Sequence, residues 1–215
     1  ICGKVNHSAR LSVRDFFTDL MNYLEKNSHL IKEKFDYNLV NTENSTYKDI
    51  QFKNIIFAEG MAVKENPYFS EIPVEANKGH HLEVKISEKI EEDFTIKKKH
   101  FIFPLNENTY YYGGTYDREQ THHKIDDSAV EKLTNALAEF YPSDFEVTQV
   151  KFGFRPTVKD RRPIVGAHSE FKNFYVFNGL GARGILNGNY FAINLYNHLE
   201  NGEVIHPEVD LKRFQ

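Results

Sequence analysis

Six residues near the end of the chain, Gly179-Leu180-Gly181-Ala182-Arg183-Gly184, restrict its possible folds more than any other stretch. They follow an apolar run at 173–178 and open a long apolar segment at roughly 182–200. The spacing is G-x-G-x-x-G in a strand–turn–helix setting. Glycines permit the tight turn, and the free amides of a helix start attract negative charge. A complete dinucleotide unit needs a second parallel strand with an acidic residue about 20 positions later. Here Asn201-Gly202 and a short tail follow the helix, so the unit is incomplete. Two readings stand at this point: a glycine-rich helix start that binds nothing, and a helix start that faces an anion or an electron-rich ring.

The rest of the chain supplies a mixed set of elements. Ser12 and Asp15 resemble a capping box. Val13, Phe16, Phe17, Leu20 and Leu24 recur at helical spacing, which predicts an amphipathic helix over 12–27. Residues 29–40 and 46–52 read as short strands around a polar turn. Residues 54–60 form a short apolar run ending in Gly60, as in a parallel strand covered on both faces. A half-buried strand is expected at 81–87, where Leu82, Val84 and Ile86 alternate with polar residues. A hairpin is expected from 94–103 and 109–116 around Pro104-Leu105-Asn106-Glu107-Asn108. Val130, Leu133, Leu137 and Phe140 mark a second helix, stopped by Pro142. Further strands fit 145–155, 163–167 and 173–178. The last helix is apolar nearly all round, so it is expected to be buried. The simplest architecture is an antiparallel sheet inserted into a doubly wound fold whose first part is absent.

Charge and cysteine usage narrow the functional classes. A net charge of -4 over 215 residues argues against a dedicated nucleic-acid binder. The run Lys97-Lys98-Lys99-His100 is flanked by Glu91-Glu92-Asp93 and reads as a solvated strand end. The single Cys2 cannot form an internal disulfide or a cysteine metal site, so a cytoplasmic setting is expected. No apolar run reaches the roughly 20 residues that span a bilayer, and no membrane partner is expected. The chain opens at Ile1 in strand-like residues, which reads as a fragment. His80-His81 and His122-His123 are adjacent pairs, and adjacent strand residues point to opposite faces, so neither pair is expected to chelate a metal. Chemistry is better served by Gly153-Phe154-Arg155-Pro156-Thr157. Pro156 holds Arg155 extended, and a rigid arginine at a strand end suits a two-pronged grip on a carboxylate. The plainer reading is a surface pair of Arg155 with Asp160.

The order of these motifs resembles the FAD-dependent D-amino-acid oxidase and glycine oxidase-like family over nearly the whole chain. The residues that carry the likeness are Ala58-Glu59-Gly60, Pro73 through Lys78-Gly79-His80, Phe101-Ile102-Phe103-Pro104 with Tyr112-Gly113-Gly114-Thr115, Gly153–Pro156 with Asp160 and Pro163, and the glycine turn at 179–184. The resemblance implies an α+β fold: an antiparallel substrate domain flanked by helices, plus the C-terminal part of an FAD-binding doubly wound α/β domain. Its implied division is 1–60, ending in part of the FAD-binding domain, 61–155 for the substrate domain, and 156–215 for the rest of the FAD-binding domain. The implied activity is oxidation of the C–N bond of an amine or amino acid, with hydride passing to FAD and the resulting imine hydrolysed. Arg155 matches the position that binds the substrate carboxylate. Gly179, Gly181, Arg183, Gly184 and Ile185 match the turn facing the flavin, and Gly60 matches a glycine near it. No residue is assigned to general acid–base catalysis.

Two departures qualify the likeness. The N-terminal glycine-rich fingerprint is missing, so the fragment alone is expected to hold FAD poorly and to be inactive. Its implied partner is the missing N-terminal segment, docking on an exposed apolar patch beside 54–60 and 174–186. Phe101 stands where amino-acid oxidases often carry a substrate-contacting tyrosine, which argues against a simple D-amino acid. Two alternatives remain: the oxidase half of an enzyme that modifies carboxymethylaminomethyl wobble uridine in tRNA, suggested by Gly113-Gly114-Thr115-Tyr116 and the last stretch, and a non-catalytic binding module on the same fold.

Overall fold

The computed structural model describes residues 3–90 and 94–214. Cys2, Ile1, the acidic run Glu91-Glu92-Asp93 and the side chain of Phe140 lie outside the described part, so the readings placed on them do too. The chain divides into two compact units, Ile1–Leu39 and Val40–Gln215. The first holds helix α1, Val13–Lys26. Ser12 donates to Asp15 at 2.6 Å, so the capping-box residues pair with each other and not with backbone amides. Segment 29–36, expected as strand, has no regular structure and is followed by a 3-10 turn at Tyr37–Leu39.

The second unit contains three sheets. A small meander joins β1 (Val40–Asn41), β2 (Thr46–Tyr47) and β3 (Ile50–Gln51). The main sheet has β5 (Glu75–Ile86) and β9 (Phe145–Thr157) as long antiparallel neighbours. On the other side of β5 come β8 (Tyr110–Gly113), β7 (Phe101–Pro104) and β6 (Ile96–Lys97). Alternation gives this sheet two chemically distinct faces. Leu82, Val84, Ile102, Tyr110 and Tyr112 point one way and are buried against Leu133, Ala136 and Leu137 of helix α2 (Asp127–Phe140). Each fully buried leucine contributes roughly 1.5–3 kcal/mol. The expected hairpin and second helix are therefore both present, and the opposite face of the sheet is left for polar and aromatic side chains.

The third sheet has the order β10 (Ile164–Ala167), β11 (Phe174–Asn178) and β4 (Ile55–Phe57), with β11 and β4 parallel. This is the expected parallel strand at 54–60, but only one of its faces is covered: Phe57 is buried while Ile56 is 45% exposed. Helix α3 (Gly184–Asn201) likewise departs from expectation. Only Leu195 is buried, packed with Val165, Tyr175, Ile205 and Val209, whereas Ile185, Leu186, Ile193 and Tyr196 are exposed. A sheet of three strands covers one stripe of an all-apolar helix, not its circumference. Exposed Ile56, Ile185 and Leu186 stand where an apolar patch was expected. The expected division at residue 155 falls inside β9. Among the described residues no helix is long and apolar enough to cross a membrane.

Candidate functional site

The parallel strands β4 and β11 end side by side, and both run into glycines. Ligands in such sheets bind beyond the carboxyl ends of the strands. The buried Asn178 ties the two exits together: its Nδ2 donates to the Gly60 carbonyl at 2.9 Å. Gly60 has φ +58, and a Cβ placed there would stand in ordinary contact with Pro156 Cγ, at 3.9 Å. The glycines of the turn divide by role. Gly179 is buried, a Cβ on it would stand 2.6 Å from Val158, and its amide donates to Asn178 Oδ1 at 2.8 Å. The expected ligand-facing amide of Gly179 is thus already used, and this glycine serves packing. Gly181 (φ +57) is the open one, 3.6 Å from Thr157 by the same measure. Among the described residues no carbonyl accepts from the amides of Gly181 and Ala182, and the first bond of the turn is Arg183 N–H to the Leu180 carbonyl. Arg183 and Ile185 are exposed, and Gly184 is half-buried against Leu180.

Arg155 reaches the same region from β9, two residues before Thr157. It faces the uncovered side of the main sheet, opposite Asn77 of β5. Its guanidinium lies over Gly79, where a Cβ would stand 2.6 Å from Cζ, so only glycine permits this pose. Nη1 donates to the Thr115 carbonyl at 3.1 Å, and Cζ sits 4.4 Å from the centre of the Tyr116 ring. No carboxylate lies within ion-pair distance among the described residues. The plainer pairing with Asp160 does not form. Asp160 instead accepts from Arg213 Nε at 3.0 Å and from the Arg162 amide at 3.0 Å. Burial pushes the Asp160 carboxyl up, but these donors outweigh it and hold it below its ordinary value. A half-buried guanidinium with donors to spare and no carboxylate beside it among the described residues is chemically suited to an anion.

Phe101 shares the open face. It pairs with Gly113, which pairs in turn with His81. The Lys97 ammonium lies 5.0 Å from its ring centre. Between Phe101 and Arg155 runs an aromatic ladder that the sequence reading missed. Phe103 stacks on Tyr111 at 4.6 Å, and Tyr111 on His81 at 4.7 Å. Burial foremost pushes the His81 pKa down, with Glu83 opposing. Burial likewise pushes the Tyr111 hydroxyl up, with the Arg155 charge opposing. Period-two counting from Phe101 reaches Phe103 alone; Tyr111 and His81 join the row only through the pairing of β7 with β8 and of β8 with β5. His80 and His81 do face opposite sides. His80 is buried on the helix side beside Lys78 and Asp126, whose ion pair with Lys78 Nζ spans 3.0 Å.

The chain's own residues fit a flat, electron-rich group. Gly60 and Gly181 add no side chain of their own at the strand ends, where Pro156 and Thr157 are the nearest neighbours, and the amides of Gly181 and Ala182 have no backbone acceptor among the described residues. Among the described residues no cluster of three or more His, Cys, Asp or Glu suits a metal ion.

Comparison with known proteins gives the family and the fold. The family model described as FAD dependent oxidoreductase (DAO) matches residues 28–193. Similar solved structures include glycine oxidase from Geobacillus kaustophilus, at 20% identity and a TM-score of 0.64, covering 80% of this chain and 49% of that one. Iminodiacetate oxidase from Chelativorans sp. BNC1 matches at 20% identity and 0.62, covering 77% and 46%. L-proline dehydrogenase from P. horikoshii matches at 13% and 0.64, covering 77% and 48%. The chain spans about half the length of these structures.

Proposed function

From the premise that this chain belongs to the DAO family of FAD-dependent oxidoreductases, we propose that its protein oxidises the carbon–nitrogen bond of a small amine that carries a carboxylate. The observation that carries the substrate class is Arg155: half-buried, seated on Gly79, covered by Tyr116, and without an acidic partner among the described residues. FAD, when bound, supplies the oxidising power by accepting the hydride. The residues of this chain do the positioning. Arg155 anchors the carboxylate and so fixes which bond of the substrate faces the strand ends. The amides of Gly181 and Ala182, with the partial positive charge of the α3 start, favour negative charge beyond β4 and β11. Gly60, Arg183, Gly184 and Ile185 flank that place in sequence or space. Phe101 and the Phe103–Tyr111–His81 ladder give the open sheet face an aromatic surface.

The part of the relatives' length that this chain does not span is proposed to hold the rest of the dinucleotide, so the 215 residues alone are expected not to turn over. With one cysteine in the chain, the reading also places the protein in the cytoplasm. The test is to purify the gene product in its full length, record its visible spectrum, and add a panel of amino acids and N-substituted glycines without oxygen. A yellow protein whose band bleaches with one of them supports the reading. A colourless protein that stays so in excess FAD removes it.

A further inference from the structure

We propose that Tyr111 is the second donor to the anion held by Arg155, and hence a residue that sets the preference for a carboxylate-bearing substrate. The inference rests on the carboxylate reading of Arg155 given above. Tyr111 lies on β8 directly opposite Phe103, on the uncovered face of the sheet. Its ring is clamped between Phe103, nearly parallel to it at 10°, and His81 at 29°. A ring held from both sides projects its hydroxyl in one direction. That direction is toward Gly114, where a Cβ would stand 3.3 Å from Tyr111 Oη and 3.3 Å from Arg155 Nη2. The hydroxyl and the guanidinium therefore converge on one space that glycine keeps free of a side chain.

Each group keeps a donor to spare. Arg155 uses Nη1 on Thr115, and the Tyr111 hydroxyl has no hydrogen-bond partner among the described residues. A tyrosine hydroxyl, with an ordinary pKa of about 10, is protonated at neutral pH, as a donor must be. A carboxylate offers two oxygens in one plane and can accept from a guanidinium and a phenol together at ordinary distances of about 2.7–2.9 Å. Phe101, farther along the same face, has no hydroxyl to offer. The donor that its side chain lacks is thus supplied one strand away, by a residue already locked in a stack.

The test uses acetate as the probe, titrated by calorimetry at neutral pH into the FAD-loaded, full-length gene product. Tyr111→Phe removes one oxygen and keeps the stack, so its melting temperature is expected to match that of the unsubstituted protein. Acetate affinity is expected to fall about 10- to 100-fold in Tyr111→Phe, the size of one hydrogen bond to a charged group, and to disappear in Arg155→Ala. Loss in Arg155→Ala with unchanged affinity in Tyr111→Phe overturns the role of Tyr111 and leaves the carboxylate reading standing. Undiminished acetate binding in both variants overturns the two together.

Discussion

Replacing Arg155 with alanine isolates the contact on which substrate choice is argued to depend. A charged hydrogen bond that loses its partner in a desolvated site costs about 2–5 kcal/mol. The structure places Arg155 toward the lower part of that range. The side chain is only half-buried, and one of its donors is already given to the Thr115 carbonyl. We therefore expect about 2–3 kcal/mol, or roughly a 30- to 150-fold fall in kcat/KM, carried mainly by KM. Arg155→Lys is expected to fall in between, because an ammonium keeps the charge but not the planar fork. The assay compares an amino-acid substrate with the same amine lacking its carboxylate. The first should lose the full factor, and the second should change less than about twofold. Equal losses on both would mean that Arg155 shapes the fold and not the recognition. No loss on either would take Arg155 out of the site.

Three further perturbations test the supports of this site. Gly79→Ala drives a methyl group into the space now held by the guanidinium, so it should reproduce the Arg155→Ala kinetics with little change in melting temperature; wild-type kinetics would contradict the seat described for Arg155. Asp126→Asn leaves the fully buried Lys78 ammonium without its anion and should destabilise the protein by about 3–5 kcal/mol in chemical denaturation, a cost that replacing both partners by apolar residues should reduce. Asp160, held below its ordinary value by Arg213 and the Arg162 amide, adds stability that is present above the unfolded carboxylate pKa of about 3.9 and lost as pH falls through the lower folded value. Asp160→Asn should therefore be less stable than wild type at neutral pH, by less than about 1 kcal/mol for so accessible a pair, and the gap should close in acid.

Much of this site could be read before any coordinates, because its parts are local. The apolar run at 54–60, the strand leading into Gly179 and the Pro104–Asn108 connection each announce themselves within a few residues, and they became β4, β11 and the β7–β8 hairpin. The extended backbone at Arg155 is legible for the same reason, since Pro156 forces an extended neighbour. What the sequence concealed depends on partners distant along the chain. Whether Asp160 belongs to Arg155 or to Arg213 is decided by tertiary contact across 53 positions. Gly179 and Gly181 look equivalent in the motif, yet Val158 and Asn178 claim the first and leave the second open. The composition of α3 suggested burial on every side, but its sheet has only three strands to offer. Tyr111 carries no local signal: its place depends on register with Phe103 and on the position of Gly114, not on any motif.

The most direct measurement is a crystal structure of the full-length gene product grown with FAD and a small amino acid. The account requires the flavin ring to meet the amides of Gly181 and Ala182 beyond the ends of β4 and β11, with the ligand's carboxylate on Arg155. A flavin bound elsewhere, or a carboxylate held by other side chains while Arg155 stays on Thr115 alone, would contradict it.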